Sequence, residues 1–195
     1  MKIGVLALQG DFAEHIVMLR RLGVETAEVR LPAHLAGLDG LIMPGGESTT
    51  IGKLAVAYGL MDPLREFGKT RAIWGTCAGA IFLSKDALRE QPLLGIMDIT
   101  VVRNAFGAQV DSFEADLEIE ALKQATGSSL PYHAFFIRAP IIASVSGAAR
   151  VLASLPDGRI VAAQEGRLLA TSFHPELTND SRFHEYFISL CRQDT

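Results

Sequence analysis

The segment Trp74-Gly75-Thr76-Cys77-Ala78-Gly79-Ala80 constrains the fold more than any other part of the chain. It sets a cysteine between an apolar run that reads as a strand, Arg71–Trp74, and a helical stretch from Cys77 to about Leu88. A glycine stands two residues to either side of the cysteine. The spacing G-x-C-x-G is the thiol counterpart of a nucleophile elbow, a sharp strand-to-helix turn that lifts one side chain out of a sheet. Backbones crowd at such a turn, so its flanking residues must be small. It also needs a buried parallel strand before it and a helix behind it, which points to an α/β architecture.

The surrounding pattern agrees. Lys2–Leu8 reads as a buried strand, continuous rather than alternating. Asp11 and Glu14 have the spacing of a capping box, followed by Phe12, Ile16, Leu19 and Leu22 at helical intervals and by Gly23 as a stop. Val24–Leu31 and Asp39–Met43 read as strands, and Ile51, Leu54, Ala55 and Tyr58 as one face of a second helix. The order β-α-β-β-α-β-α predicts a mostly parallel sheet with helices on both faces, a three-layer α/β sandwich. The second half changes character: Ile99–Asn104, Val110–Leu117, His133–Arg138, Arg150–Leu155, Arg159–Gln164 and Leu168–Phe173 read as strands with short turns such as Pro156-Asp157-Gly158. Asp180 to Cys191 reads as a closing helix with Phe183, Phe187 and Leu190 on one face. No repeat or linker divides the 195 residues, so one domain, 1–195, is expected.

Composition excludes several classes. Lys and Arg number 18 against 22 Asp and Glu, a net charge of −4 without the basic face of a nucleic-acid binder. An apolar content of 49% excludes a disordered chain. Ile3–Leu8 is too short for a signal peptide, and no run approaches the ~18 apolar residues of a membrane span. A cytoplasmic protein without membrane attachment is expected. Cys77 and Cys191 give neither a disulfide framework nor metal-site spacing, so no metal is expected.

A helix N-terminus behind Cys77 favours thiolate over thiol, below its reference pKa of ~8.5, and the N–H of Ala78 points where an oxyanion would form. A thiol nucleophile also needs a base. Of five histidines, His174 ends an apolar run and heads His174-Pro175-Glu176. Proline disfavours the helical region for His174, and residues i and i+2 of an extended segment project to one side. Glu176 can therefore hold the imidazole in one tautomer. His15 stands beside Glu14 near the start of the first helix and can line the same sheet edge. His34 in a loop, His184 facing out of the last helix and His133 just past Pro131 are poorer candidates, and Cys191 reads as structural.

The run Gly40-Leu41-Ile42-Met43-Pro44-Gly45-Gly46-Glu47-Ser48-Thr49-Thr50 takes a strand through Pro-Gly-Gly into a helix. It lacks the lysine and spacing of a P-loop. An oxyanion donor at Gly46 and polar contacts from Glu47 and Ser48 fit its place at the carboxyl end of a parallel strand. Arg103 and Arg138 end apolar strands and suit a substrate α-carboxylate.

With Cys77, His174 and Glu176 in that order behind Pro-Gly-Gly, the chain resembles the class I, triad-type glutamine amidotransferases. Within them it is most similar to the family of glutaminase subunits of pyridoxal 5'-phosphate synthase. Leu8-Gln9-Gly10 with Glu14-His15, Gly40 to Thr50, Gly75 to Gly79, Arg103-Asn104-Ala105-Phe106-Gly107, Asp111 to Glu114, Phe136 to Pro140 and Ser172 to Leu177 carry that resemblance, over nearly the whole chain. Many triad amidotransferases have glutamine four residues after the nucleophile, where this chain has Ile81, which disfavours the guanylate, anthranilate and imidazole glycerol phosphate branches.

The resemblance implies hydrolysis of L-glutamine to glutamate and ammonia through a thioester on Cys77, with His174 as base, Glu176 as its orienting partner and no cofactor. It implies oxyanion donors at Gly46 and Ala78, and substrate contacts from Gly46, Glu47, Ser48, Arg103, Ile137 and Arg138. Ammonia would pass to a separate synthase subunit in a larger hetero-oligomer, without which the glutaminase is nearly silent, and Gln9, Gly10 and His15 are expected near that contact. Two other readings fit the same residues: a stand-alone cysteine amidase or peptidase of this fold, and a non-catalytic binding module.

Overall fold

The computed structural model describes residues 1–103 and 112–193. Strand β1 (Lys2–Leu6) leads through helix α1 (Phe12–Arg21) to β2 (Glu25–Val29), and a 3₁₀ turn at Pro32–Leu35 leads to β3 (Gly40–Met43). Helices α2 (Ser48–Ala57) and α3 (Met61–Thr70) precede β4 (Ala72–Thr76), α4 (Ala78–Leu83) and β5 (Ser84–Asp86). Then come β6 (Met97–Val102), β7 (Ser112–Leu117), α5 (Glu120–Thr126), β8 (Tyr132–Ile137) and β9 (Ile141–Val145). The chain continues through β10 (Arg150–Ser154), β11 (Ile160–Glu165), β12 (Leu168–Thr171), a 3₁₀ turn at Pro175–Leu177 and α6 (Arg182–Cys191).

The main sheet runs β2-β1-β3-β4-β12-β11-β9-β6-β5, with β10 beside β11. It is parallel from β2 to β12 and antiparallel through β11, β9 and β6. β7 and β8 form a separate antiparallel ribbon. Because side chains alternate across a strand, Leu41 and Ile42 of β3 enter opposite cores. Ile42 joins Trp74, α1 and α6 on one face; Leu41 and Met43 join Ile51 of α2, Leu64 of α3 and Phe82 of α4 on the other. The expected three layers follow from that alternation. No described helix is long and apolar enough to cross a membrane.

Several local expectations are corrected. Asp11 makes no side-chain cap on α1, because its carboxylate turns toward His174, 3.9 Å from Nδ1. The helix after Cys77 ends at Leu83 rather than near Leu88: Ser84 Oγ donates to the Ile81 carbonyl, and Ser84–Asp86 pairs with β6. Tyr58 lies past the end of α2 and is exposed; Gly52 takes the place on its buried face. Helices α3 and α5 and strand β9 fill stretches that carried no sequence expectation. Asn104 to Gly107 and Val110 and Asp111 lie outside the described residues.

Candidate active site

The elbow forms as the spacing predicts. Cys77 sits at φ 48°, ψ −104° between β4 and α4, a backbone region that costs a non-glycine residue ~1–3 kcal/mol. Both flanking glycines are required by their neighbours. A Cβ on Gly75 would lie 2.5 Å from the Gly79 carbonyl, and one on Gly79 would lie 1.9 Å from the Met43 oxygen. The Cys77 amide donates to the Thr171 carbonyl at 2.8 Å, fastening the elbow to β12.

His174 follows β12 at the same sheet edge, its amide held by the Phe135 carbonyl at 2.9 Å. Residues 175–177 form a 3₁₀ turn rather than the expected extended segment, yet the turn still carries Glu176 Oε1 to 2.7 Å from His174 Nδ1. The other side of the imidazole is hydrogen-bonded to the Cys77 side chain. Burial works against a charged His174, but the bonds to Cys77 and Glu176 outweigh it and hold the group at about 10. Burial raises the Glu176 carboxyl above its ordinary value, and His174 offsets part of that rise. Thiol, imidazole and carboxylate thus stand in line, with His174 and Glu176 almost wholly removed from solvent.

The Pro-Gly-Gly loop wraps this line. A Cβ on Gly45 would strike the His174 ring at 2.6 Å, and one on Gly46, at φ 147°, would strike Gln9 Oε1 at 2.5 Å. Gln9 Oε1 accepts from the Glu47 amide at 2.7 Å, and the Asp11 amide donates to the Gly45 carbonyl at 3.1 Å. Residues 9–11 therefore set the shape of the loop. Glu47 caps α2 through the amides of Thr49 and Thr50 and pairs with Arg103 at 3.0 Å. Burial acts against its charge, but the Thr50 and Thr49 bonds and Arg103 prevail and lower its pKa to about 2. Ser48 is buried, and its hydroxyl donates to Gln91 Oε1 at 3.3 Å.

These residues line one cavity of about 540 Å³, bounded by Cys77, Ala78, His174, Gly46, Glu47 and Ser48 together with Arg103, Ile137 and Arg138. Arg138 is itself at φ 42°, a second strained residue facing the opening. Ile81, the departure from glutamine, also lines it, as do Gln9, Gly10 and Asp11. Glu176 stands behind His174, away from the cavity.

Two histidines are placed otherwise than expected. His15 has no exposed surface, so it offers nothing for a partner to touch. His184 does not face outward: it is fully buried, with Nε2 3.0 Å from His15 Nδ1 and its ring edge-on to Trp74. The helical period of α6 carried the signal, since His184 follows Phe183 and precedes Phe187 on a helix whose buried face is broad. Asp11 was legible only as a cap, and nothing local revealed its reach to His174. Among the described residues, Asp11, His174 and Glu176 are the one trio whose potential metal-binding atoms lie within 4.8 Å of one another, and the closest pair of them is the 2.7 Å hydrogen bond above.

An aligned thiol, imidazole and carboxylate at the carboxyl edge of a parallel sheet is the equipment of a cysteine-dependent acyl-transfer enzyme. The chain belongs to the SNO glutamine amidotransferase family, whose model matches residues 5–193. It is 56% identical over 195 residues to the pyridoxal 5'-phosphate synthase subunit PdxT of Herpetosiphon aurantiacus, covering 97% of this chain and 100% of that one. It is 54% identical over 197 residues to the protein of the same name in Deinococcus radiodurans, covering 97% of each. A crystal structure of a glutamine amidotransferase superposes with a TM-score of 0.90 at 51% identity, over 97% of this chain and 98% of that one. The structure of PurLQS from Thermotoga maritima, at 17% identity and a TM-score of 0.72 over 97% and 96% of the two chains, shares the fold.

Proposed function

We propose that this protein is the glutaminase subunit of a pyridoxal 5'-phosphate synthase, a single cytoplasmic domain that releases ammonia from L-glutamine for a separate synthase subunit. The observation that carries this reading is the line from Cys77 through His174 to Glu176, 2.7 Å from ring to carboxylate, whose thiol and imidazole open onto a cavity that Arg103 and Arg138 also line. Family membership and relatives named as synthase subunits support the substrate and the partner.

In this mechanism Cys77 Sγ bonds to the side-chain amide carbon of glutamine as His174 takes the thiol proton. The tetrahedral oxyanion rests on the N–H groups of Gly46 and Ala78. His174 returns the proton to the nitrogen, the C–N bond breaks, and ammonia leaves a thioester on Cys77. Water, deprotonated by His174, then opens the thioester to glutamate and restores the thiol. Glu176 keeps Nδ1 protonated and stabilises the imidazolium in each half-reaction. Arg103 and Arg138 bind the α-carboxylate, with the Gly46–Ser48 backbone and Ile137 closing around the rest. Gln9 and Gly10, which shape the oxyanion loop and are partly exposed, lie near the partner contact.

The test is glutamate release from L-glutamine by the chain alone and with a purified synthase subunit. A steep rise on mixing is expected. Equal release in both would remove the partner from the reading, and none in either would remove the reaction.

A further inference from the structure

Behind Glu176, on the side away from the cavity, lies a group of polar atoms that the mechanism above does not use. Glu176 Oε1 is taken by His174, whereas Oε2 is buried with no well-formed hydrogen bond among the described residues. A buried carboxylate oxygen without a donor is costly, the more so when the group is charged. The ring nitrogen nearest it is His15 Nε2, 3.3 Å from Glu176 Oε2 and equally 3.3 Å from Thr76 Oγ1. The opposite nitrogen, His15 Nδ1, is 3.0 Å from His184 Nε2. Both rings are completely buried and stand edge-on to Trp74.

Two arrangements of protons are open to this pair, and they are not equivalent. With hydrogen on Nε2 of both rings, His184 donates to His15 Nδ1, and His15 donates to Thr76 Oγ1 with Glu176 Oε2 at the same 3.3 Å, beside that bond and near enough to share its hydrogen. The one atom then left over is His184 Nδ1, a lone pair without a partner. With hydrogen on Nδ1 of both rings, His184 Nδ1 becomes a buried donor with no acceptor, and the lone pair of His15 Nε2 faces a carboxylate. The first arrangement leaves over only a lone pair; the second strands a buried donor and sets a second lone pair against the carboxylate, where the Thr76 hydroxyl can bond the ring nitrogen but Glu176 Oε2 gains no donor from His15. Burial keeps both rings neutral, with the neighbouring histidines adding to that effect on His15.

We propose that His15 is a positioning residue for the triad: in the Nε2–H tautomer fixed by His184, it donates to the second oxygen of Glu176 and keeps that carboxylate ionised and aligned on His174. This deepens the reading of Glu176 as the third member of the triad and rests on it. The groups facing the cluster are His174, Asp11 and the Tyr132 hydroxyl on the Glu176 side, and His184 and His174 on the His15 side. The contact also ties α1 to the turn after β12.

The test compares His15→Leu, which keeps the bulk and removes the donor, with His15→Gln, whose amide nitrogen falls where Nε2 was. Alkylation of Cys77 by iodoacetamide, followed by mass from pH 5 to 9, reads the thiol–imidazole pair without glutamine or a partner. A failure of the glutaminase reading is thereby separate from a failure here. In His15→Leu the profile is expected to move by about half to one pH unit and the rate at pH 7 to change by ~3- to 10-fold, while His15→Gln stays within about twofold of the parent. Equal profiles for His15→Leu and the parent, or for the two variants, would overturn the proposal. Nitrogen-15 spectra of the unaltered protein give an answer even where a variant does not fold. Hydrogen on His15 Nε2 down to pH 5 is expected, and hydrogen on Nδ1 or a titration near 6.5 would overturn it.

Discussion

The elbow after β4 holds a buried cysteine against a buried histidine, whereas the last helix, α6, carries a buried cysteine and a buried histidine two turns apart, and the two regions have opposite chemistry. Cys77 and Cys191 are 8% and 9% exposed, so burial does not tell them apart. At the elbow, His174 is bonded to Cys77 on one side and Glu176 on the other, and its pKa rises to about 10. On α6, burial alone takes His184 down to about 3. Burial also pushes the Cys191 thiol up to about 12, Asp39 adding to the rise and Arg167 and Arg192 opposing it. What separates the regions is whether the group has a partner of opposite charge and an opening onto solvent. The same residue types become a reactive pair in one place and packing atoms in the other.

The largest expected effect follows directly. Cys77→Ala should lower glutamate release by three orders of magnitude or more, roughly 4 kcal/mol of transition-state stabilisation. Cys191→Ala should leave it within about twofold. Initial rates with the synthase subunit present decide the matter, and comparable losses in the two variants would erase the distinction between the regions.

Next in size is the elbow itself. A methyl on Gly79 meets the Met43 carbonyl oxygen at 1.9 Å, backbone against backbone, where no rotamer change gives relief. Gly79→Ala should cost about 3 kcal/mol in urea unfolding. The equivalent change at Gly23, where nothing lies within 4 Å of a new Cβ, meets only the strain of its φ of 74° and should cost about 1 kcal/mol. Equal losses would mean that crowding does not shape the elbow.

These two glycines also mark what can be read from the sequence. The bracket around Cys77 was legible because its constraint is local: strand, turn and helix are contiguous, and only small residues fit. The His174–Glu176 pair was legible for the same reason, although the turn proved to be 3₁₀. The proximity of Asp11 to His174 was hidden, because the sequence offers Asp11 a cheaper local role as a helix cap. The His15–His184 contact was hidden too, since it joins helices 169 residues apart through the face of a sheet. Helix α3 escaped because only Leu64 of its residues is buried, which leaves a thin periodic signal.

His184 and His174 give opposite pH limbs. His184 folds with its pKa lowered to about 3, below the 6.5 of the unfolded chain. Its contribution to stability is therefore complete above 6.5 and lost as the pH falls toward 3, with His15 acting in the same direction. His174 folds with its pKa raised to about 10, so its contribution is complete below 6.5 and lost as the pH rises toward 10. Unfolding free energies from urea titrations should decline on both sides, by about 2 kcal/mol on each. His184→Gln should flatten the acid limb and His174→Gln the alkaline one; a limb unchanged by its own substitution would refute that assignment.

The smallest expected effect concerns Cys191 as packing alone. A Cβ on Gly40 would lie 2.3 Å from Cys191 Sγ and 3.2 Å from Phe187 Cζ. Gly40→Ala should then cost about 2 kcal/mol through overpacking, and Cys191→Ala about 1 kcal/mol through the void it leaves. In the double variant the new methyl occupies the space of the lost sulfur, so the two costs should fall short of their sum by about 1 kcal/mol. A sulfur whose only work is to fill space can be replaced by a carbon arriving from the opposite strand. Strict additivity in the urea midpoints would show that Cys191 does something more than pack, and would bring the two cysteines closer in kind than their surroundings suggest.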